Sequence, residues 1–185
     1  MRMTYPIHTA IDAPEKSRPL LAGAEKAFGF VPNMLGKMAT APALLEGYMT
    51  LSRIFDSSSL SPTERQIVLL ATSFENGCDY CMAAHSVIAS MQKVDSSVVE
   101  ALRSGTPIAD GRLEALRRFA AAVVSTRGWP DPLVTKAFFA AGYGEEQALE
   151  VILGVGVKTL SNYSNHVTET PVDPAFAAAK WSRPA

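Results

Sequence analysis

Apolar side chains recur along this chain at intervals of three and four residues, and the strict alternation of a half-buried strand is missing. Ala, Leu, Met, Glu and Lys keep returning at that spacing, so the pattern predicts an all-α fold. Residues 1–13 read as an extended arm, and a first helix is expected after Pro14 as far as Phe28, where Gly29 and Pro32 end it. Val31 to Leu35 begins a short helical turn. A longer helix follows Pro42 with Leu44, Leu45, Tyr48, Leu51, Ile54 and Phe55 on one face, and it stops at Asp56-Ser57-Ser58-Ser59.

The clearest start signal comes next. Ser61 can cap, Pro62 takes the first helical position, and Glu64 completes a capping box, which predicts a helix from Pro62 to Glu75. Asn76-Gly77 breaks it, and another helix resumes at Cys78 or Asp79, carrying Cys81, Met82, His85, Ile88 and Ala89 to Gln92. Further helices are expected at 95–103, 111–126, 131–141 and 145–167, with Pro174 to Trp181 as a short terminal helix docked on the body. Residues 14–185 read as a single all-helical domain. The segments Leu60 to His85 and Gly144 to His166 echo each other, each with an acidic start, an apolar stretch and a histidine. Such an echo fits a duplicated helical hairpin, and similarity between Ala- and Leu-rich helices also produces it.

Composition narrows the function classes. With 185 residues, 48% of them hydrophobic, there is ample material for one core. Lys plus Arg total 17 against 18 Asp plus Glu, a net charge of −1, and no basic stripe interleaved with aromatics appears, so nucleic acid is not an expected partner. No window approaches the roughly 20 apolar residues of a membrane span, and the N-terminus lacks a signal-peptide core, so a cytoplasmic protein is expected. The two cysteines stand three residues apart, a spacing that staples no long loop and suits chemistry better than architecture.

That chemistry lies in Asn76-Gly77-Cys78-Asp79-Tyr80-Cys81-Met82-Ala83-Ala84-His85. Residues three, four and seven apart share a helical face, so the two sulfurs and the imidazole can converge. If Cys78 opens the helix, its sulfur meets the positive end of the macrodipole, which favours the reactive thiolate there. One thiolate can then attack a hydroperoxide and become a sulfenic acid, which the second thiol closes to a disulfide. A duller reading makes Cys78, Cys81, His85 and His166 a zinc site, although the residues between Cys81 and His85 are apolar and no second metal-ligand cluster exists. Two small buried hydrophobes and a core histidine form another. His166 alone reads as an ordinary helix-end histidine.

Ser61-Pro62-Thr63-Glu64, the run from Asn76 through Cys78 and Cys81 to His85, and Asn162-Tyr163-Ser164-Asn165-His166 together resemble the carboxymuconolactone decarboxylase and alkylhydroperoxidase D-like superfamily, over about residues 45–170. The resemblance implies an AhpD-like helical fold, assembly into dimers, trimers or hexamers, and peroxidase activity without a cofactor or a metal. It also implies that Cys81 is peroxidatic, with His85 in its proton relay and Cys78 resolving, against the dipole argument for Cys78. The peroxidase branch usually carries glutamate twelve residues before the first cysteine, where this chain has Gln66, which cannot accept a proton at neutral pH. Glu75 could reach the site if the Asn76-Gly77 bend turns it inward, while Tyr80 could donate a hydrogen bond.

The leading expectation is therefore a thiol-dependent peroxidase acting on small hydroperoxides, regenerated by a protein or small-thiol reductant. Two alternatives stay open. One is a decarboxylase or lyase of a lactone acid, which would not need the cysteine pair. The other is a non-enzymatic oligomeric redox sensor, which the Gln66 substitution favours.

Overall fold

The computed structural model describes residues 4–184, and every regular element among them is helical. The helices are α1 (Arg18–Phe28), α2 (Asn33–Met38), α3 (Pro42–Asp56), α4 (Pro62–Glu75), α5 (Asp79–Met91), α6 (Ser96–Ser104), α7 (Gly111–Ser125), α8 (Pro132–Ala140) and α9 (Glu145–Thr168). The expected all-α class and most helix bounds hold to within a residue or two. At the two ends the structure differs in detail. Glu15–Ser17 is a 3-10 turn rather than the start of α1, because the Ser17 hydroxyl donates to the Ala39 carbonyl and Arg18 Nε to the Ala13 carbonyl, both at 2.8 Å. Pro174–Ala179 is likewise 3-10, and it docks through Trp181 Nε1, which donates to the Arg103 carbonyl at 2.7 Å. No helix among the described residues is long and apolar enough to cross a membrane.

The capping box forms as its residues dictate: Ser61 Oγ accepts from the Glu64 backbone N–H, and the Glu64 carboxylate accepts from that of Ser61. The helix it starts, α4, is the centre of the fold. Every residue from Gln66 to Ser73 is buried, because α5, α7 and α9 pack around it on different sides. One apolar core joins α4 to α3, α6, α7, α8 and α9; a second gathers the N-terminal helices, the C-terminal turn and one side of α5. Met82 belongs to the first core, Cys78 and Cys81 to the second. Thus α5 is a wedge between them.

The segments that echo each other in sequence fold differently. Leu60 to His85 forms helix, break, helix, whereas Gly144 to His166 lies within the single unbroken α9, so they are not two copies of one hairpin. The glycines of α9 do not end it, since Gly154 serves a close approach: a Cβ there would stand 2.7 Å from both Phe55 Cζ and Val68 Cγ1. Both neighbours are fully buried and have little room to yield. Gly154→Val is therefore expected to cost about 2–3 kcal/mol through overpacking, read as a lowered urea midpoint at unchanged m-value.

Candidate active site

The turn that presents the cysteines is built from the Asn76-Gly77 pair. Gly77 adopts a left-handed φ of 65°, which lets its N–H donate to the Phe74 carbonyl while the Cys78 N–H donates to that of Ser73, a Schellman closure of α4. Cys78 then turns back into extended backbone as the N-cap of α5, and Cys81 lies at the third helical position, in the first turn. Asn76 Nδ2 donates to Asn162 Oδ1 at 2.9 Å, which fastens the turn to α9. Helix α9 thereby forms the facing wall.

Both sulfurs are buried and unbonded to each other. One amide sees both: Asn165 Nδ2 donates to Cys81 Sγ at 3.3 Å and lies 3.8 Å from Cys78 Sγ. Ser161 Oγ stands 3.8 Å from Cys81 Sγ. Lys158, one turn earlier on the same face, is 1% exposed and its Nζ makes no hydrogen bond of ordinary geometry. It stands close enough to Cys81 for the two charges to stabilise each other.

This arrangement separates the two thiols. Burial alone would push Cys81 up, but a hydrogen bond from the Cys78 thiol, the Lys158 charge, and the donors of Lys158 and Ser161 outweigh it, and its pKa lies well below the ordinary 9.0. Cys78 moves the other way, because it donates to the Cys81 sulfur and is buried beside that negative charge. Of the two, Cys81 is the one whose thiolate form is favoured. The dipole argument from sequence favours Cys78; in the structure the side chains of α9 decide the matter, and they face Cys81. For Lys158, burial works against the charge, but the Cys81 charge, Tyr48 and Cys78 override it and its pKa is raised.

His85 lies one turn beyond Cys81. Burial first, and then the Lys158 charge, hold its pKa well below 6.5, so the imidazole is neutral at physiological pH. Its Nδ1 lies 3.0 Å from Gln66 Oε1, and Gln66 Nε2 donates to Gln92 Oε1 at 3.2 Å. Along that chain of bonds Nδ1 carries the proton and Nε2 is the free lone pair, an assignment made from the network.

Of the residues singled out in the sequence, Cys78 pairs with Cys81 and His85 with Gln66, Lys158 acting on both pairs, and three others stand elsewhere. Glu75 faces Arg183, 4.0 Å away, on the opposite side of the bend. The Tyr80 hydroxyl donates to Asp173 Oδ2 at 2.5 Å rather than to a sulfur, tying α5 to the C-terminal turn. His166 is exposed and lies against the Tyr163 ring, since α9 turns Asn162 and Asn165 inward and residue 166 outward. The zinc alternative thereby loses its fourth ligand, and among the described residues no three His, Cys, Asp or Glu gather as metal ligands. Glu64, the other nearby carboxylate, is occupied by its capping box and by Arg112. Lys158 and Ser161 were missed, and Asn165 stood in the family stretch without a role. A signal for them existed: polar residues at 158, 161, 162 and 165 continue the same helical stripe as apolar Val151, Gly154 and Val157.

Residues 42–125 match the carboxymuconolactone decarboxylase family, a span that contains both cysteines and His85 but stops short of α9. Among solved structures the chain is similar to the alkylhydroperoxidase AhpD core of an uncharacterized peroxidase-related protein from Ralstonia eutropha JMP134, at 22% identity over 95% of each chain with a TM-score of 0.82. It is also similar to the debrominase Bmp8, in a Cys-to-Ala variant bound to 2,3,4-tribromopyrrole, at 22% identity over 97% of this chain and 96% of that one with a TM-score of 0.81. An uncharacterized peroxidase-related protein from Silicibacter sp. TM1040 follows at 19% identity, 95% and 93% coverage and a TM-score of 0.79. At these identities the likeness establishes a shared fold. No curated protein matches by sequence.

Proposed function

We propose that this chain, whose residues 42–125 match the carboxymuconolactone decarboxylase family and which shares its fold with AhpD-like structures, is a thiol-dependent peroxidase in which Cys81 attacks a small hydroperoxide and Cys78 resolves the product. The observation that carries this reading is the single amide of Asn165 within 3.3 and 3.8 Å of two free sulfurs, whose surroundings push the Cys81 pKa down and the Cys78 pKa up. The Cys81 thiolate gives an electron pair to the distal oxygen of the hydroperoxide; the S–O bond forms as the O–O bond breaks, leaving a sulfenic acid and an alkoxide, which takes up a proton to become the alcohol. Cys78 then attacks that sulfur, its proton leaves with the hydroxyl as water, and the disulfide is reopened by a protein or small dithiol. His85 is the neutral base that takes the Cys78 proton as that thiol attacks and returns it to the departing hydroxyl, its Nε2 directed by the Nδ1 bond to Gln66. No cofactor enters the scheme. Assembly into a homo-oligomer and a reducing, cytoplasmic setting belong to the same proposal.

The test is multiple turnover of an alkyl hydroperoxide with excess dithiol, before and after alkylation of both cysteines. Sustained turnover that alkylation stops is the expected result. One equivalent consumed and no more would mean a redox sensor, and lactone turnover that survives alkylation would mean a decarboxylase.

A further inference from the structure

Two polar atoms beside the Cys81 sulfur are buried with part of their capacity unused: the Lys158 Nζ, which faces the Cys81 charge and makes no hydrogen bond of ordinary geometry, and the Asn165 Oδ1, which accepts none. Each belongs to a side chain on the inward face of α9 that is at least nine-tenths buried, 1% and 4% exposed. Buried donors and acceptors are normally satisfied, so a fold that keeps unused hydrogen-bonding capacity beside one sulfur has room there for a polar ligand's contacts. One is a donor and the other an acceptor. A hydroperoxide is the complement of that pair, since its distal O–H donates and its proximal oxygen accepts.

Resting on the peroxidase reading, we propose that Lys158 is the acid that protonates the departing oxygen of the hydroperoxide and that the Asn165 carboxamide oxygen holds its distal O–H against Cys81. The need for an acid follows from the site itself. His85 is neutral with its one proton directed at Gln66, and Gln66 has no proton to relay, so the histidine side can accept but not supply. The groups facing Lys158 are Cys81 and Cys78 from the α5 turn, Tyr48 from α3 and His85, and of these Cys81 already carries the negative charge. Cys78 and Tyr48 are neutral acids whose pKa values are pushed up, so Lys158 is the one cationic acid among them.

The step balances. Cys81 thiolate, hydroperoxide and Lys158 ammonium give Cys81 sulfenic acid, alcohol and neutral Lys158. Cys78 and the sulfenic acid give disulfide and water. A dithiol then reopens the disulfide, is itself oxidised, and releases the proton that returns Lys158 to the ammonium form beside a new thiolate.

Two variants, Lys158→Met and Lys158→Arg, are compared with wild type for the rate of Cys81 oxidation by an alkyl hydroperoxide and by a peroxy acid, and for the pH dependence of thiolate ultraviolet absorbance. A peroxy acid expels a carboxylate that needs no proton. In Lys158→Met the thiolate midpoint should rise towards 9.0, the ordinary value. The alkyl hydroperoxide rate, corrected for thiolate fraction, should fall by about 10²–10⁴-fold while the corrected peroxy acid rate changes little. Lys158→Arg should keep the low midpoint, and it recovers less of the alkyl hydroperoxide rate because guanidinium is the weaker acid. Equal corrected losses for both oxidants would overturn the donor role, leaving Lys158 only to hold the thiolate. Should Lys158→Met not fold, wild type alone decides: rates that depend weakly on the acidity of the leaving alcohol support donation, and a steep dependence overturns it. A wild type inert to every hydroperoxide sinks the peroxidase reading and this inference together, whereas an active wild type without selective loss sinks this inference alone.

Discussion

Cys81→Ser should abolish hydroperoxide consumption, by on the order of a thousandfold or more, while Cys78→Ser should complete one half-reaction and stop. The asymmetry follows from the site. Cys81 holds the thiolate, surrounded by Asn165, Ser161 and Lys158, and a serine there has a hydroxyl far too weakly acidic to take its place. Cys78 acts first as a hydrogen-bond donor to that thiolate, and a serine hydroxyl can still donate. The Cys78→Ser protein should therefore consume one equivalent of hydroperoxide and accumulate a sulfenic acid, detectable by a dimedone adduct in mass spectrometry. A Cys81→Ser protein that forms the adduct on Cys78 would reverse the assignment of the two thiols.

His85→Ala is expected to lower kcat/KM by about two to four orders of magnitude, the usual contribution of a positioned general base. The pH profile gives the sharper reading. Because burial and the Lys158 charge depress the His85 pKa, the base form persists as the solution is acidified, and the acid limb attributable to it should lie well below pH 6.5. Gln66→Glu would set a carboxylate against Nδ1, favour the imidazolium and move that limb upward. A profile whose acid limb is unmoved by Gln66→Glu and by His85→Ala would show that the imidazole does not titrate in the reaction.

Much of this arrangement was legible in the chain. The capping box at Ser61 and Glu64 and the break at Asn76-Gly77 are local events, decided by hydrogen bonds and dihedral preferences within a few residues, and they appear where the sequence puts them. Gln66 and His85 could be paired in advance only through the family resemblance, because they sit on different helices; the structure brings them to 3.0 Å. The inward turn entertained for Glu75 is not seen, since its side chain stands with Arg183 from the C-terminal segment. The Tyr80 hydroxyl is taken by Asp173, far along the chain.

From its own pattern of residues the chain determined that helices form, where they start and stop, and that Cys78, Cys81 and His85 fall within the first two turns of α5 and its cap, because those features depend on neighbours within two turns. Only the tertiary structure decided which sulfur bears the charge. That choice rests on an ammonium, a hydroxyl and an amide delivered by α9 from about eighty residues away, and electrostatics in a buried site depends on distance through space, which no local spacing encodes.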